Sequence, residues 1–413
     1  MQLRELTKEQ FSLFVKNYPS STIYQTTEYA EAMSKQNFSY VYYGMEEENK
    51  LYAASLVLIE KNHGFKYAYS PRGFLIDYTN KDLLKTFTNL LKKDLGKKGV
   101  IAIKINPIVI NNIYDSKTAN VSSNNESDLI MNNLKELGYY HLGFNNFFEA
   151  LKPRFEAIID TTIPVNQLFS NLDQNNKDKV QEADYDGLQI FKSNNFNPSY
   201  LFLEKEQYDQ EIKFYQDMFY AFQNKLEFFY IKLDTKEYLK KVQMKYQFQS
   251  QISSEANAKV FETRGSDNTN EINIKLQEES KLNEIKNELV YATNLLRDIP
   301  QGIIIGSCIT IKDKDSVYLL VDSYDKQYDK LNAKYLLIWK LLEKYTNEGF
   351  KSFNLGGITN FSLNENPYKE LNDFKLGFDA KGYEYIGDYE LITNKPLYVM
   401  YQNGAPFRNM LKK

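Results

Sequence analysis

The feature that most constrains this chain is an alternation of strand and helix patterns that begins twice. Alternating apolar residues predict strands before and after Lys81 to Lys97, whose leucines recur at helical spacing. From about residue 154 a similar order begins again and continues to a strand over 352–355. Repeated alternation of this kind is typical of sheets covered by helices. We therefore predict an α/β (α+β) fold with two units, residues 1–150 and 151–383.

One stretch, residues 234–298, breaks the alternation and lies inside the second unit. Its later half carries apolar residues at 3,4,3,4 spacing, which is the pattern of a coiled-coil seam. These residues are Leu282, Ile285, Leu289, Ala292 and Leu296. A weaker apolar stripe precedes them, and the polar residues 265–270 between the two stripes predict a turn. We expect an antiparallel two-helix coiled-coil arm.

Several classes of protein are disfavoured by what the chain lacks. Its single cysteine, Cys308, cannot form a disulfide within the chain, and a reducing compartment is expected. The chain has neither an apolar start typical of a signal peptide nor an apolar run of about 18 residues. We therefore expect a cytoplasmic protein. A net charge of −3 counts against broad nucleic-acid binding, so RNA would have to meet a local basic patch.

Few residues are suited to metal or histidine chemistry. No H-x-x-x-H or C-x-x-C spacing is present, so no metal is expected. The two histidines, His63 and His141, lie beside or near glycines and are expected at the surface. The reaction, if there is one, has to use a carboxylate or proceed without an obvious enzyme base.

The segment near the end of the chain carries the strongest motif. A strand ends on Gly356 and Gly357, and glycine allows a backbone to turn sharply or approach a ligand closely. Lys375 follows among aromatic residues, where burial and neighbours can tune its amine. Taken alone, this motif predicts a strand, a glycine turn and a lysine near a cleft.

The order and spacing of three segments, 354–358, 372–378 and 384–389, resemble the C-terminal signature of the Fem family. Members of this family are aminoacyl-tRNA-dependent peptidyltransferases that build peptidoglycan cross-bridges. The resemblance extends over most of the chain. It implies two GNAT-like acyltransferase subdomains, the first completed by residues 384–413, and no cofactor. It also implies an aminoacyl-tRNA donor and a peptidoglycan precursor as acceptor, either lipid-linked or UDP-linked, with peripheral membrane association in the lipid-linked case.

The resemblance assigns Lys375, with its neighbour Phe374, to the catalytic site. In the family this lysine is thought to hold the acyl end of the donor and to steady negative charge on the attacked carbonyl. A fixed cation near a developing oxyanion lowers the barrier by several kcal/mol. The alternative is a lysine whose stem merely covers Phe374 while its amine reaches solvent.

The acceptor side follows less directly from the same resemblance. Lys35 lies near the family lysine that contacts the acceptor diphosphate, and Arg72 could clamp a phosphate. Asn106 stands where several members carry aspartate, which removes a candidate carboxylate base. The predicted substrate-binding residues are Lys35, Tyr69, Arg72, Asn106, Tyr318, Gly356 and Gly357.

A loop comparison bears on the donor. GNAT enzymes bind the CoA pyrophosphate on a glycine-containing loop at a helix N-terminus. The corresponding residues 327–333 carry Lys330 and Asn332 where the glycines would be, and such side chains obstruct close backbone approach. A CoA donor is therefore disfavoured. On the arm, a lysine row either contacts RNA phosphates or is only a solvated face. Its members are Lys236, Lys240, Lys241 and Lys245.

The function predicted from sequence is transfer of an amino acid from its tRNA ester to an amine on the stem peptide of a peptidoglycan precursor. Two alternatives stay open: an acyltransferase of the same fold with another donor or acceptor, and a non-catalytic binding protein. Neither the amino acid, the number transferred nor the oligomeric state follows from the sequence.

Overall fold

The structure is a computed structural model that contains sixteen strands among the residues it describes. Those residues are 1–62, 64–115, 117–118, 120–203, 208–265, 267–363 and 365–403. The strands in chain order are β1 Gln2–Glu5, β2 Ser39–Glu47, β3 Lys50–Asn62, β4 Phe65–Ser70, β5 Val100–Ile105, β6 Ile110–Tyr114, β7 Val121–Ser123, β8 Tyr139–His141, β9 Phe155–Asp160, β10 Leu188–Ser193, β11 Leu226–Leu233, β12 Ile303–Asp313, β13 Ser316–Tyr324, β14 Ser352–Ile358, β15 Lys381–Tyr385 and β16 Tyr389–Ile392.

Helices cover and connect these strands. In chain order they are α1 Lys8–Asn17, α2 Thr27–Lys35, α3 Lys81–Lys97, α4 Ser127–Glu136, α5 Val165–Asn171, α6 Gln174–Tyr185, α7 Tyr208–Phe222, α8 Thr235–Glu262, α9 Thr269–Asp298, α10 Ala333–Asn347, α11 Lys369–Leu376 and α12 Lys395–Asn403. Within the described ranges, no helix is both long enough and apolar enough to cross a membrane.

Two sheets organise the chain. The first has the order β1-β2-β3-β4-β5-β16-β8 and the second the order β10-β11-β12-β13-β14-β9-β15-β6-β7. Each contains one parallel pair joined by a helix: β4 and β5 through α3, and β13 and β14 through α10. The predicted α/β class is confirmed, while the predicted bounds of the two units, 1–150 and 151–383, stay a prediction.

The two sheets exchange strands. β16, near the end of the chain, pairs with β5 and β8 in the first sheet. In the other direction β6 and β7 pair with the second sheet, where Tyr114 lies opposite Gly382 of β15. The polar composition of residues 111–128 predicts a loop, and this prediction is wrong for the two strands. β6 forms because it pairs with the distant β15, and β7 then pairs with β6.

Apolar cores lie under each sheet and between the two. Leu84 and Phe87 of α3 are fully buried under the first sheet, as their helical spacing predicts. A separate core joins the sheets, since Leu56 of β3 and Ile309 of β12 are both fully buried in it. This shared core fixes the loops of the first unit against the strands of the second.

The arm consists of α8 and α9. The two helices are antiparallel, because Tyr238 contacts Glu288 while Gln249 contacts Glu278. Val242 and Ala292 are fully buried, so the pair is anchored near its base. The coiled-coil character of the predicted seam stays a prediction.

Candidate active site

The second parallel pair opens along its length. β13 and β14 are paired from Ser316 opposite Ser352 to Tyr318 opposite Asn354, and no further. At that point the Asn354 side-chain oxygen accepts a hydrogen bond from the backbone N–H of Gly356 at 2.7 Å. Gly356 has φ +78°, a conformation that strongly favours glycine. The turn carries β14 away from β13 and leaves a gap between them.

Lys375 lies at this gap. It is in the last turn of α11, is only 8% exposed, and donates a hydrogen bond from Nζ to the carbonyl oxygen of Gly357 at 2.9 Å. Burial lowers the pKa of its amine, while the carboxylates of Asp322 and Glu156 act in the opposite direction. A Cβ added at Gly356 would lie 3.8 Å from Nζ. Gly356 therefore lies against the amine, whereas Gly357 is packed so closely that an added Cβ would lie 2.9 Å from Phe148 and Pro153.

Phe374, predicted with Lys375 at the catalytic site, is held by aromatic contacts, and its predicted role stays a prediction. Its ring is buried edge-on against Tyr335 and Phe378, with centroid distances of 5.0 and 5.4 Å. These contacts are part of the core under the second sheet. Phe374 thus fixes α11 and aims the next side chain, instead of lining the cleft itself.

Arg72 crosses from the first unit into the second. It follows β4 with φ +52°, and its buried guanidinium donates to the Glu156 carboxylate at 2.5 Å and to the Pro153 carbonyl at 2.9 Å. It also lies 4.5 Å from the centre of the Tyr385 ring. The guanidinium predicted to clamp a phosphate is therefore already paired with a carboxylate.

Glu156, on β9, is held ionised by its neighbours. Besides Arg72, it accepts hydrogen bonds from the Asn354 amide at 2.8 Å and the Tyr385 hydroxyl at 3.0 Å. Burial alone would raise its pKa, but the charge of Arg72 and these hydrogen bonds hold it below the usual value. The same carboxylate, together with nearby tyrosines, raises the pKa of Arg72 against the effect of burial. The pair ties the two units together at the floor of the cleft.

An open cleft lies above this pair. Tyr24 and Arg72 from the first unit line it, as do Tyr318 and Tyr385 from the second. It extends past Arg72 into a second depression bordered by Tyr18 and Asp77. The cleft is thus built from both units and is rich in hydroxyl groups that can bind a polar substrate.

Asn106 and Tyr69 act together behind Arg72. The Asn106 side-chain oxygen accepts hydrogen bonds from the Arg72 backbone N–H at 2.8 Å and the Tyr69 hydroxyl at 3.2 Å. Asn106 is 2% exposed, and its amide nitrogen has no hydrogen-bond partner among the described residues. Their visible contacts hold the Arg72 loop, and their predicted role in substrate binding stays a prediction.

Lys35 is placed apart from these residues. It is the last residue of α2, is exposed, and does not line the cleft. Its carbonyl oxygen accepts a hydrogen bond from Lys213 Nζ at 2.8 Å. Two residues that sequence reasoning missed lie closer: Glu156, described above, and Lys152, whose amine lies over the Tyr24 ring. Neither belongs to a local motif that would have revealed it.

The four arm lysines do not share one environment. Lys240 is well exposed, whereas Lys245 forms an ion pair with Asp186 of the body at 2.6 Å. Lys241 lies 4.9 Å from the centre of the Tyr185 ring. Only the exposed Lys236 and Lys240 face outward, so the row predicted on one face divides into two pairs.

The loop compared with a CoA site forms a short 3-10 helix, Lys326–Leu331, followed by Asn332 at φ +55°. Asn332 donates a hydrogen bond to the Glu182 carboxylate at 3.0 Å. Asn332 immediately precedes α10, so the Glu182 carboxylate lies beside the N-terminus of α10. A negative charge there opposes binding of a pyrophosphate. His63 lies outside the described residues. His141 bonds the backbone at Ile386, 2.8 Å away.

Comparisons with known proteins agree with this architecture. The FemAB family model matches residues 6–404. Aminoacyltransferase FemA of Staphylococcus epidermidis is 25% identical, with 97% of this chain and 98% of that protein covered. Lipid II:glycine glycyltransferase of Staphylococcus aureus is 22% identical, with 98% and 96% covered.

Among solved structures, the crystal structure of FemX superposes with a TM-score of 0.71 at 20% identity, covering 97% of this chain and 99% of that one. The fold is therefore that of FemX. The expected family is confirmed, and with it the expected class of transferase. This chain belongs to the FemAB family.

Proposed function

We propose that this enzyme transfers an amino acid from aminoacyl-tRNA to an amine on the stem peptide of a peptidoglycan precursor. The observation that carries the proposal is the buried amine of Lys375 at the gap between β13 and β14. Family membership and the activities named for the two staphylococcal relatives support it. Because charged tRNA is a cytoplasmic molecule, the reaction is assigned to the cytoplasm.

In this mechanism the acceptor amine attacks the ester carbonyl that joins the amino acid to the tRNA ribose. Negative charge develops on the carbonyl oxygen as the tetrahedral adduct forms. Lys375 donates to a backbone carbonyl from a site with little water, so its ammonium is held in place before the reaction begins. A preorganised cation of this kind stabilises the oxyanion without a cost for reorganisation. The ribose hydroxyl is the leaving group.

A covalent intermediate on the enzyme is not part of the proposal. The single thiol, Cys308, is fully buried in the core under the second sheet, and burial raises its pKa well above the ordinary value. A protonated, inaccessible thiol is a poor nucleophile. Positioning of the two substrates and charge stabilisation are the contributions of the protein.

A CoA-dependent acyltransferase of the same fold is the competing function. Its pyrophosphate would have to approach a helix N-terminus where Asn332 has a side chain and where Glu182 adds negative charge. Both features oppose a phosphate ligand, so they favour the tRNA donor over acyl-CoA.

The test is incubation of the enzyme with purified precursor and charged total tRNA, followed by mass spectrometry of the precursor. We expect a mass increase equal to one or more amino acid residues, which identifies the amino acid. Parallel reactions contain lipid-linked or UDP-linked precursor, and further reactions contain ribonuclease or an aminoacyl-CoA. A product that survives ribonuclease, or that forms from the CoA ester alone, would refute the tRNA donor.

A further inference from the structure

A second lysine lies at the cleft without a counter-ion of its own. Lys152 precedes β9, is half-buried, and its Nζ is 3.8 Å from the centre of the Tyr24 ring and 5.7 Å from that of Tyr29. In the part of the chain that the structure describes, its amine forms no ion pair and no hydrogen bond. Three neighbours of this amine, Tyr24, Arg72 and Glu156, line the cleft, so the amine lies close to the cleft wall.

Lys152 is linked to the catalytic region through the next residue, Pro153. The carbonyl of Pro153 accepts a hydrogen bond from Arg72, and its ring packs so closely on Gly357 that an added Cβ there would lie 2.9 Å away. The carbonyl of Gly357 in turn accepts the hydrogen bond from Lys375. The two lysines are therefore held near each other by rigid backbone contacts.

The groups around Lys152 favour a neutral amine. Burial and the nearby charge of Arg72 lower its pKa to about 7, and Glu156 opposes them only in part. The Glu156 carboxylate already accepts hydrogen bonds from Arg72, Asn354 and Tyr385. Two tyrosines also lie close by: burial raises the pKa of Tyr24 to about 12 and raises that of Tyr29 as well, so both stay uncharged near neutrality.

We propose that the Lys152 amine accepts the proton that the attacking nitrogen of the acceptor has to lose. The inference rests on the proposed function and adds a proton acceptor to it. Lys375 cannot easily serve, because its amine is already oriented toward a backbone carbonyl. In this mechanism Lys375 stabilises negative charge on the carbonyl oxygen, and Lys152 accepts the proton from the acceptor nitrogen.

The step moves one proton from the acceptor nitrogen to Lys152 and then to solvent. The acceptor nitrogen forms a bond to the ester carbon, and the nitrogen of the resulting adduct carries an extra proton. Neutral Lys152 takes that proton and becomes an ammonium. The bond from carbon to the ribose oxygen then breaks, the ribose oxygen is protonated by solvent to the hydroxyl, and Lys152 returns its proton to solvent. No redox change and no further reactant is needed.

The main experiment compares wild type with Lys152→Arg, which is permanently charged and cannot accept a proton, and Lys152→Met, which keeps the length. Lys369→Met is the matched control, since that lysine is on α11 and well exposed. We expect both Lys152 variants to lose about 100-fold in kcat, with the precursor KM little changed and unfolding temperatures retained. The inflection of the wild-type pH profile near pH 7 should disappear. A Lys152→Arg enzyme within threefold of wild type, with the inflection intact, would overturn the proposal.

A second measurement needs no turnover. Each lysine of the wild-type protein is acylated for a short time at a series of pH values and quantified by mass spectrometry. We expect the reactivity of Lys152 to reach half its maximum near pH 7. Half-maximal reactivity near about pH 10, as for an ordinary lysine, would overturn the proposal even if the enzyme is active. An inactive wild type with a half-maximum near pH 7 would instead contradict the proposed function and leave the neutral amine established.

Discussion

The two strand–helix–strand crossovers of this molecule share a design and differ in one respect. In the first, β4 and β5 stay paired to their carboxyl ends, where Ser70 lies opposite Ile105. In the second, β13 and β14 separate after Tyr318 and Asn354. In the first, closed crossover, the loop after β4 carries Arg72. In the second, open crossover, Lys375 lies beside the point where the two strands separate. The strands β4 and β5 are therefore hydrogen-bonded to their ends, whereas β13 and β14 lose their backbone pairing beside the candidate site.

Different side chains hold the two ends. Asn106 closes the first crossover by accepting hydrogen bonds from the Arg72 backbone and Tyr69. Asn354 has the equivalent place after β13 pairing ends, but it bonds Gly356 and Glu156 instead. The comparison teaches that the cleft is lined by both units, with Tyr24 and Arg72 from the first and Tyr318 and Tyr385 from the second. Four predictions test this division.

The largest effect is expected from breaking the pair that joins the units. Arg72→Met leaves the Glu156 carboxylate buried without its counter-ion, which should reduce the free energy of unfolding by about 3–5 kcal/mol. Chemical denaturation measures this change. Lys369→Met, which breaks an exposed pair with Asp373, is the control and should cost less than about 1 kcal/mol. Equal effects would mean that the two units are not held by this pair.

The same variant has a pH signature. The pKa of Glu156 is lowered in the folded protein, so its contribution to stability is present above its unfolded value of 4.5 and is lost as the pH falls through the lower folded value. Without Arg72, burial raises the folded pKa, so protonation of Glu156 relieves the buried charge in the variant as the pH falls. The difference in unfolding free energy between wild type and Arg72→Met should therefore shrink as the pH falls below neutrality.

The next largest effect should fall on the open crossover alone. Lys375→Ala is expected to lower kcat by at least about 100-fold while the unfolding temperature stays close to that of wild type. The Lys369→Ala variant on the same helix controls for general loss of positive charge. Turnover within threefold of wild type would show that the gap between β13 and β14 is not the reacting site.

A smaller effect distinguishes the two crossovers through their glycines. Gly356 and Gly99 have φ +78° and +75°, so alanine at either position should cost about 1 kcal/mol of stability. Gly99 precedes β5 and faces open space, whereas Gly356 is next to Lys375. Only Gly356→Ala should also reduce kcat, by about tenfold, because the methyl group narrows the space around the amine. An equal loss of activity in both variants would contradict the comparison.

The smallest effect concerns the arm, which is inserted only in the open unit. If its outward face meets tRNA, the double change Lys236→Glu and Lys240→Glu should weaken tRNA binding and reduce the salt dependence by about two counterions. The same double change at Lys281 and Lys286 of α9 is the control, because these lysines are also exposed. Unchanged affinity at two salt concentrations would show that Lys236 and Lys240 form only a solvated face.

Much of the local structure could be predicted from the sequence. Helical spacing predicts helices over 81–97 and 333–347, and these have the same bounds as α3 and α10. Both are segments in which local periodicity and burial agree. The same spacing predicts one helix over 165–183, but the structure has two, because Asp173 caps the start of α6 by accepting a hydrogen bond from the Asn176 backbone at 2.6 Å. A cap inside an apolar pattern is easily missed.

The candidate site was predictable only where it lies in a motif. Lys375 and the glycine pair are close in sequence and could be recognised there. Lys35 could not be placed reliably, because a shift of two residues along a helix moves a side chain to another face. Glu156 and Lys152 could not be found at all, since their partners Arg72 and Tyr24 come from the other unit.

The sequence by itself determined the α/β class, the bounds of α3 and α10 and the family, because each depends on short-range periodicity or on residues with fixed spacing. Tertiary structure decided the exchange of strands between the sheets, the divergence of β13 from β14 and the pairing of Arg72 with Glu156. These last features depend on contacts between residues far apart in the chain and on the low polarity of the space that those contacts enclose. Neither quantity exists until the chain has folded.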